Sequence, residues 1–179
     1  MDEIAIIKLV FGIMLSIGTI VLFALAYILA YKYLVQEKRC LAQTKGIVRK
    51  YTLASRGNGI FLPVVYYYVK GKEYKVVGPE YKFYKTTTTK IPLSSNQIEF
   101  DAKSQIFTVK RTVNSVVGIY RNPMRTLFPI SSEIDVYYDP NNPKLAYVLR
   151  YCNKKFLFYG LFFAAVFVLI TDLLILYML

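Results

Sequence analysis

Two uninterrupted apolar runs, one near each end, limit what this chain can fold into more than any other feature. The first, residues 9–31, reads LVFGIMLSIGTIVLFALAYILAY and holds no charge in its 23 positions. The second, residues 156–179, reads FLFYGLFFAAVFVLITDLLILYML and holds one charge, Asp172, in 24. At a rise of about 1.5 Å per residue, 23 helical residues span about 34 Å, enough to cross a hydrocarbon core of about 30 Å with some tilt. The runs predict two transmembrane helices over 9–31 and 156–179, a short tail over 1–8, and a β-rich domain over 32–155. A buried core helix is the bland alternative. A cleavable signal peptide is another for the first run, with Ala24 and Ala26 as the small-residue pattern. Against it, the run outlasts the usual apolar stretch of about 7–15 residues, and Asp2 and Glu3 stand where a basic cluster belongs.

Charge sets an expected orientation. The central stretch from Lys32 to Lys155 holds 22 Lys and Arg against 8 Asp and Glu, an excess of 14. Outside it, Lys8 is the one basic residue. The positive-inside rule then places the central domain in the cytoplasm and the protein in the cell membrane as a multi-pass chain, although the rule is strongest for short loops. Lys32, Lys38, Arg39, Arg150, Lys154 and Lys155 flank the apolar runs. They are the candidate contacts with membrane lipid, since an anionic leaflet attracts juxtamembrane cations. A merely solvated basic surface explains the same charges. Nucleic acid is not an expected partner, because no helix-turn-helix, zinc or RNA-binding signature accompanies them. Cys40 and Cys152 each lie just outside an apolar run. They stay reduced if the domain is cytoplasmic and are free to pair if it is exported.

The middle reads as about seven strands. Residues 44–53 are rich in β-branched and aromatic residues, and Gly57, Asn58 and Gly59 then form a turn. In FLPVVYYYVKGKEYKVVG, Val65, Tyr67 and Val69 alternate with Val64, Tyr66, Tyr68 and Lys70. This is a β-hairpin signal, with Gly71-Lys72 as the expected two-residue loop, a Gly-first turn of type II′ or a close relative. The run Thr86 to Thr89 reads as an extended edge or a loop. Residues 97–110 read as two strands around a turn at 101–104, and residues 114–130 as an irregular connection. In SSEIDVYYDPNNPKLAYV, Ile134, Val136 and Tyr138 alternate with polar partners, and Asp139-Pro140 opens a hard turn that Asn142-Pro143 closes. A calcium loop is the rival for that turn, but such a site needs about six to eight oxygens and the neighbourhood is not acidic enough. The expected fold is therefore two transmembrane helices flanking a small antiparallel β-barrel or sandwich.

The order of membrane helix, KGIV at 45–48, FLPVVYYYVKGKEYKV at 61–76, SEIDVYYDPNNPKLAYV at 132–148 and second membrane helix resembles the domain of unknown function 3592 family of bacterial membrane proteins. YYDPNNPKLAY is the most specific segment of that likeness. Residues 85–130 depart from it, being long and carrying strand-like segments of their own where the family has a short connection. The resemblance implies the fold and the membrane class and brings no activity with it.

The residues offer little chemistry. The chain has no histidine, which removes Ser-His and Cys-His dyads. It has no phosphate-binding glycine loop, and its acids are scattered. An enzyme is not expected, nor are catalytic, metal or cofactor residues. Asp172 is the exception in cost, because an acid within a membrane helix is a functional candidate by default. It has three explanations: a position near water or bonded to Thr171; a hydrogen bond to Ser16 or Thr19, or to another subunit; or a place on an ion pathway. Tyr66, Tyr68, Lys70 and Lys72 are the candidate partner surface, against ordinary strand packing. The leading functional expectation is a non-enzymatic accessory or scaffold subunit whose β-domain binds a membrane protein or the bilayer, or that forms a homo-oligomer. The alternatives are an immunity or stress protein that neutralises a toxin or envelope-active factor, and a subunit of an oligomeric transporter.

Overall fold

The computed structural model describes residues 3–56, 59–90, 97–101, 103–112 and 122–178. They fall into two compact units, one made from residues 1–35 and 153–179 and the other from Gln36–Cys152.

The first unit is a pair of antiparallel helices. Helix α1 (Glu3–Leu25) passes into one π-helical turn, Ala26–Ala30, in which the Tyr31 amide donates to the Ala26 carbonyl at 3.0 Å, and then into α2 (Lys32–Arg39). The helix thus continues to Arg39, past residue 31, where the β-rich domain is expected to begin. Its partner, numbered α4, is Lys155–Met178. Buried positions recur by sevens, at Gly12, Thr19 and Ala26 on one helix and at Ala165 and Asp172 on the other. That period makes a single seam, and small residues on it let the backbones approach. Phe23 meets Phe162 edge to face at 5.6 Å. Away from the seam the side chains stay exposed, among them Met14, Ile17, Ile20, Phe163, Phe167 and Leu173. Both helices, Ile6–Arg39 and Lys155–Tyr177, are long and apolar enough to cross a membrane.

The second unit holds eight strands in two sheets. They are β1 (Ala42–Tyr51), β2 (Pro63–Val69), β3 (Lys72–Val77), β4 (Phe83–Thr89), β5 (Gln97–Asp101), β6 (Ile106–Thr112), β7 (Glu133–Tyr138) and β8 (Ala146–Val148), with a helical turn α3 (Met124–Leu127) before β7. The larger sheet is antiparallel in the order β3-β2-β1-β7-β8. Among the described residues no ladder joins β3 to β8, so of the barrel or sandwich expected the sheet forms an open half-barrel, and a closed barrel is not shown. Its ends still curl together, since a β-carbon on Gly78 after β3 would lie 2.9 Å from Val148 Cβ in β8. Val48, Val65, Tyr67, Val69, Ile134, Val136, Ala146 and Val148 fill its inner face.

The smaller sheet has the order β4-β6-β5 and is mixed, with β4 parallel to β6. This corrects the all-antiparallel expectation, while the threonine run takes the extended-edge form of its two readings, as the end of edge strand β4. Alternation says that a segment is extended and which faces it has; it does not say which strand lies beside it or in which direction. A second core of Ile60, Leu62, Tyr81, Phe107, Val109 and Met124 lies against this sheet. The β2–β3 loop is also corrected. Val69 pairs with Lys72, so the two loop residues are Lys70 and Gly71, at φ 50° and 75°. Positive φ at both is the requirement of a type I′ turn, whose twist suits a hairpin. Of the expected turn at 57–59 and the connection at 114–130, residues 57–58 and 114–121 lie outside the described residues.

Candidate functional site

Asp172 sits on the seam of the helix pair and is 3% exposed. The Ser16 hydroxyl donates to its Oδ2 at 2.8 Å. Its Oδ1 is buried with no hydrogen bond and points towards Gly12, where a β-carbon would lie 3.7 Å away. Of the two hydroxyls proposed from sequence, Ser16 makes the bond. Thr19, one turn on, is buried without a hydrogen bond of its own. Thr171 turns back to donate to the Phe167 carbonyl at 2.9 Å and leaves its neighbour alone. The heptad explains the selection: Asp172 faces the seam at the level of Gly12 and Ser16, where the missing side chain of Gly12 makes room.

The candidate lipid contacts separate into three groups. The ammoniums of Lys32 and Lys154 lie over the same Tyr33 ring, 4.7 and 5.6 Å from its centre, and Lys155 opens α4. Lys38 and Arg39 are exposed in the last turn of α2. Arg150, half-buried, packs on aromatic rings. Its guanidinium stacks on Phe100 at 3.6 Å and on Tyr81 at 4.7 Å, with Nε and Nη2 buried. Burial lowers its pKa, while Tyr81 beside it opposes that fall. A planar guanidinium stacks well on aromatic faces, and this half-buried one packs against rings of the β-unit itself.

The candidate partner surface also divides. On the outer face of the larger sheet, Arg49 lies over the Tyr66 ring at 4.7 Å and pairs with Glu73 at 2.7 Å, and the Tyr68 hydroxyl donates to Glu73 at 2.6 Å. Tyr66 and Tyr68 are therefore engaged in a cross-strand cluster. Lys70 and Lys72 flank the turn and project at the end of the sheet, exposed.

The Asp-Pro-Asn-Asn-Pro segment is a turn. The Asn141 amide donates to Asp139 Oδ1 at 2.9 Å, and the Asn142 amide to the Asp139 carbonyl at 3.1 Å. Sequence reasoning missed what braces it: the buried Tyr67 hydroxyl donates to the Pro143 carbonyl. The signal was the inward phase of Tyr67 in its strand, which demands an acceptor for a buried hydroxyl. Cys40 and Cys152 are buried and not joined in a disulfide. Burial, and then the charge of Asp139, push the Cys40 thiol up to about 12. Among the described residues no three His, Cys, Asp or Glu side chains gather where a metal ion would be held.

Comparison with protein-family models, curated proteins and solved structures finds no match to this chain.

Proposed function

We propose that this chain is a double-pass membrane protein without an enzymatic role, an accessory or scaffold subunit whose β-unit works at the bilayer face and binds a membrane protein or the bilayer surface. The observation that supports it most is the helix pair. Each helix buries one narrow seam and leaves the rest of its apolar surface exposed, a distribution suited to lipid or to other membrane helices as the surrounding medium. The basic excess of the central stretch favours a cytoplasmic β-unit, and the likeness to the domain of unknown function 3592 family belongs to the same proposal.

The test is extraction and protection. The full chain is expected to stay with membranes washed in alkaline carbonate. A tag inserted at residues 57–59 is expected to survive protease added to wall-stripped cells. Release by carbonate overturns the membrane assignment. Cleavage of the tag reverses the side, and a role in neutralising an envelope-active factor then replaces the cytoplasmic scaffold.

A further inference from the structure

Strand register brings together residues that lie far apart in the sequence. Gly46 pairs with Tyr67 and Ile47 with Tyr66. Continued along the two strands, that register sets Gly71 level with Ala42. On the other side of β1, Ala42 pairs with Tyr138, the last residue of β7. The β2–β3 turn, the β7–β8 turn and the segment entering β1 from α2 therefore share one end of the five-stranded sheet. At strand spacings of about 4.8 Å, that end is about 19 Å wide.

Its exposed charges are mostly of one sign, five cations against the acids Glu37 and Glu73. Lys38 and Arg39 precede β1, Lys70 and Lys72 flank one turn, and Lys144 lies in the other, all exposed. Among them stands Leu41, 78% exposed. Three acids lie close by. Glu37 is on α2, Asp139 is buried and accepts the Asn141 amide, and Glu73 is held by Arg49 and Tyr68.

We propose that this end of the sheet is a docking rim for an anionic lipid headgroup layer, with Leu41 as its apolar anchor. The proposal rests on the membrane reading above and goes beyond it by fixing the surface and the lipid. A ring of cations around one exposed aliphatic side chain is the make-up of a segment seated at a charged membrane interface. Connectivity favours the bilayer over an acidic protein: Arg39 ends a helix long enough to cross a membrane, and β1 begins three residues later. The rim also unites Lys38 and Arg39 with Lys70 and Lys72, which the sequence had suggested for two different surfaces.

The experiment uses the full chain in lipid nanodiscs of phosphatidylcholine alone or mixed with phosphatidylglycerol. A bimane label is placed at Leu41→Cys, at Leu53→Cys beyond the other end of β1, or at Phe167→Cys on the exposed face of α4, and quenching by spin-labelled lipid is measured. Position 41 is expected to be quenched several-fold more in anionic discs than in neutral ones. The gain should be lost in high salt and in Lys70→Gln/Lys72→Gln/Lys144→Gln, and kept in the corresponding Arg variant. Position 53 should stay unquenched. Equal quenching at 41 in the two lipids overturns the rim, as it would if an acidic protein were the true occupant. If position 167 is quenched and 41 is not, the rim alone falls; if 167 is unquenched, the membrane reading falls and takes the rim with it.

Discussion

At Gly46 a β-carbon built on the backbone lands 2.5 Å from Val65 Cγ1, 2.9 Å from Val136 Cγ2 and 3.1 Å from the Tyr66 carbonyl oxygen. Val65 and Val136 are fully buried on either side, so neither yields easily. Gly46→Ala should therefore cost about 1–3 kcal/mol, read as a lower unfolding midpoint in detergent. Val65→Ala in the same chain should recover part of the loss; no recovery would place the strain elsewhere. Cys40 carries a pH effect. Its thiol is held up to about 12 in the folded chain, whereas an unfolded thiol ionises near about 8.5. As pH rises between these values, the unfolded chain releases a proton that the folded one keeps, so stability complete below about 8.5 drains away above it. Cys40→Ala should flatten the fall between about pH 8.5 and 10, before unfolded tyrosines ionise. An unchanged slope would remove Cys40 from the account. The glycine in KGIV was visible in the sequence, but its reason was not: the two valines come from strands that only the fold brings to it.

Among the elements, the helix pair concentrates its polarity at one level of the seam. The Ser16–Asp172 bond should be worth about 1 kcal/mol, measurable as the non-additivity of Ser16→Ala and Asp172→Asn in a double-mutant cycle of helix unfolding. Additive losses would mean that the bond contributes nothing. Thr19→Val removes a buried hydroxyl that has no hydrogen bond, so it should leave stability unchanged or raise it. The two helices were legible because apolar length is a local property, and the bond was legible in type because an acid among apolar residues calls for a donor. The choice of Ser16 over Thr19 was not, since it depends on the depth at which the helices meet. The hairpins follow the same division. Alternation located β2, β3, β7 and β8, yet the β2–β3 loop lay one residue earlier than its glycine suggested, because Lys70 takes a positive φ that side chains usually avoid.

For the molecule as a whole, composition foretold the larger division. Apolar residues gather in the helices, and the basic excess gathers in the β-unit, where it follows no stripe that the sequence displays. Lys70, Lys72 and Lys144 share a rim with Arg39 only because two hairpins turn at the same end of one sheet. Arg150 shows another outcome: its neighbours in sequence suggest a membrane contact, while Phe100 and Tyr81, distant in sequence, take up the faces of its guanidinium and leave it half-buried. Asp172 has a consequence for the order of synthesis. A chain is made from its N-terminus, so α1 leaves the ribosome well before α4. Under the membrane reading proposed above, an acid in the last third of α4 carries a cost on entering a bilayer, and α4 would enter beside a helix already in place, with the Ser16 hydroxyl there to donate to Asp172. On that reading the first helix would serve the second as a reception site, and a chain that lost Ser16 would be tested first during its manufacture, before its finished stability came into question.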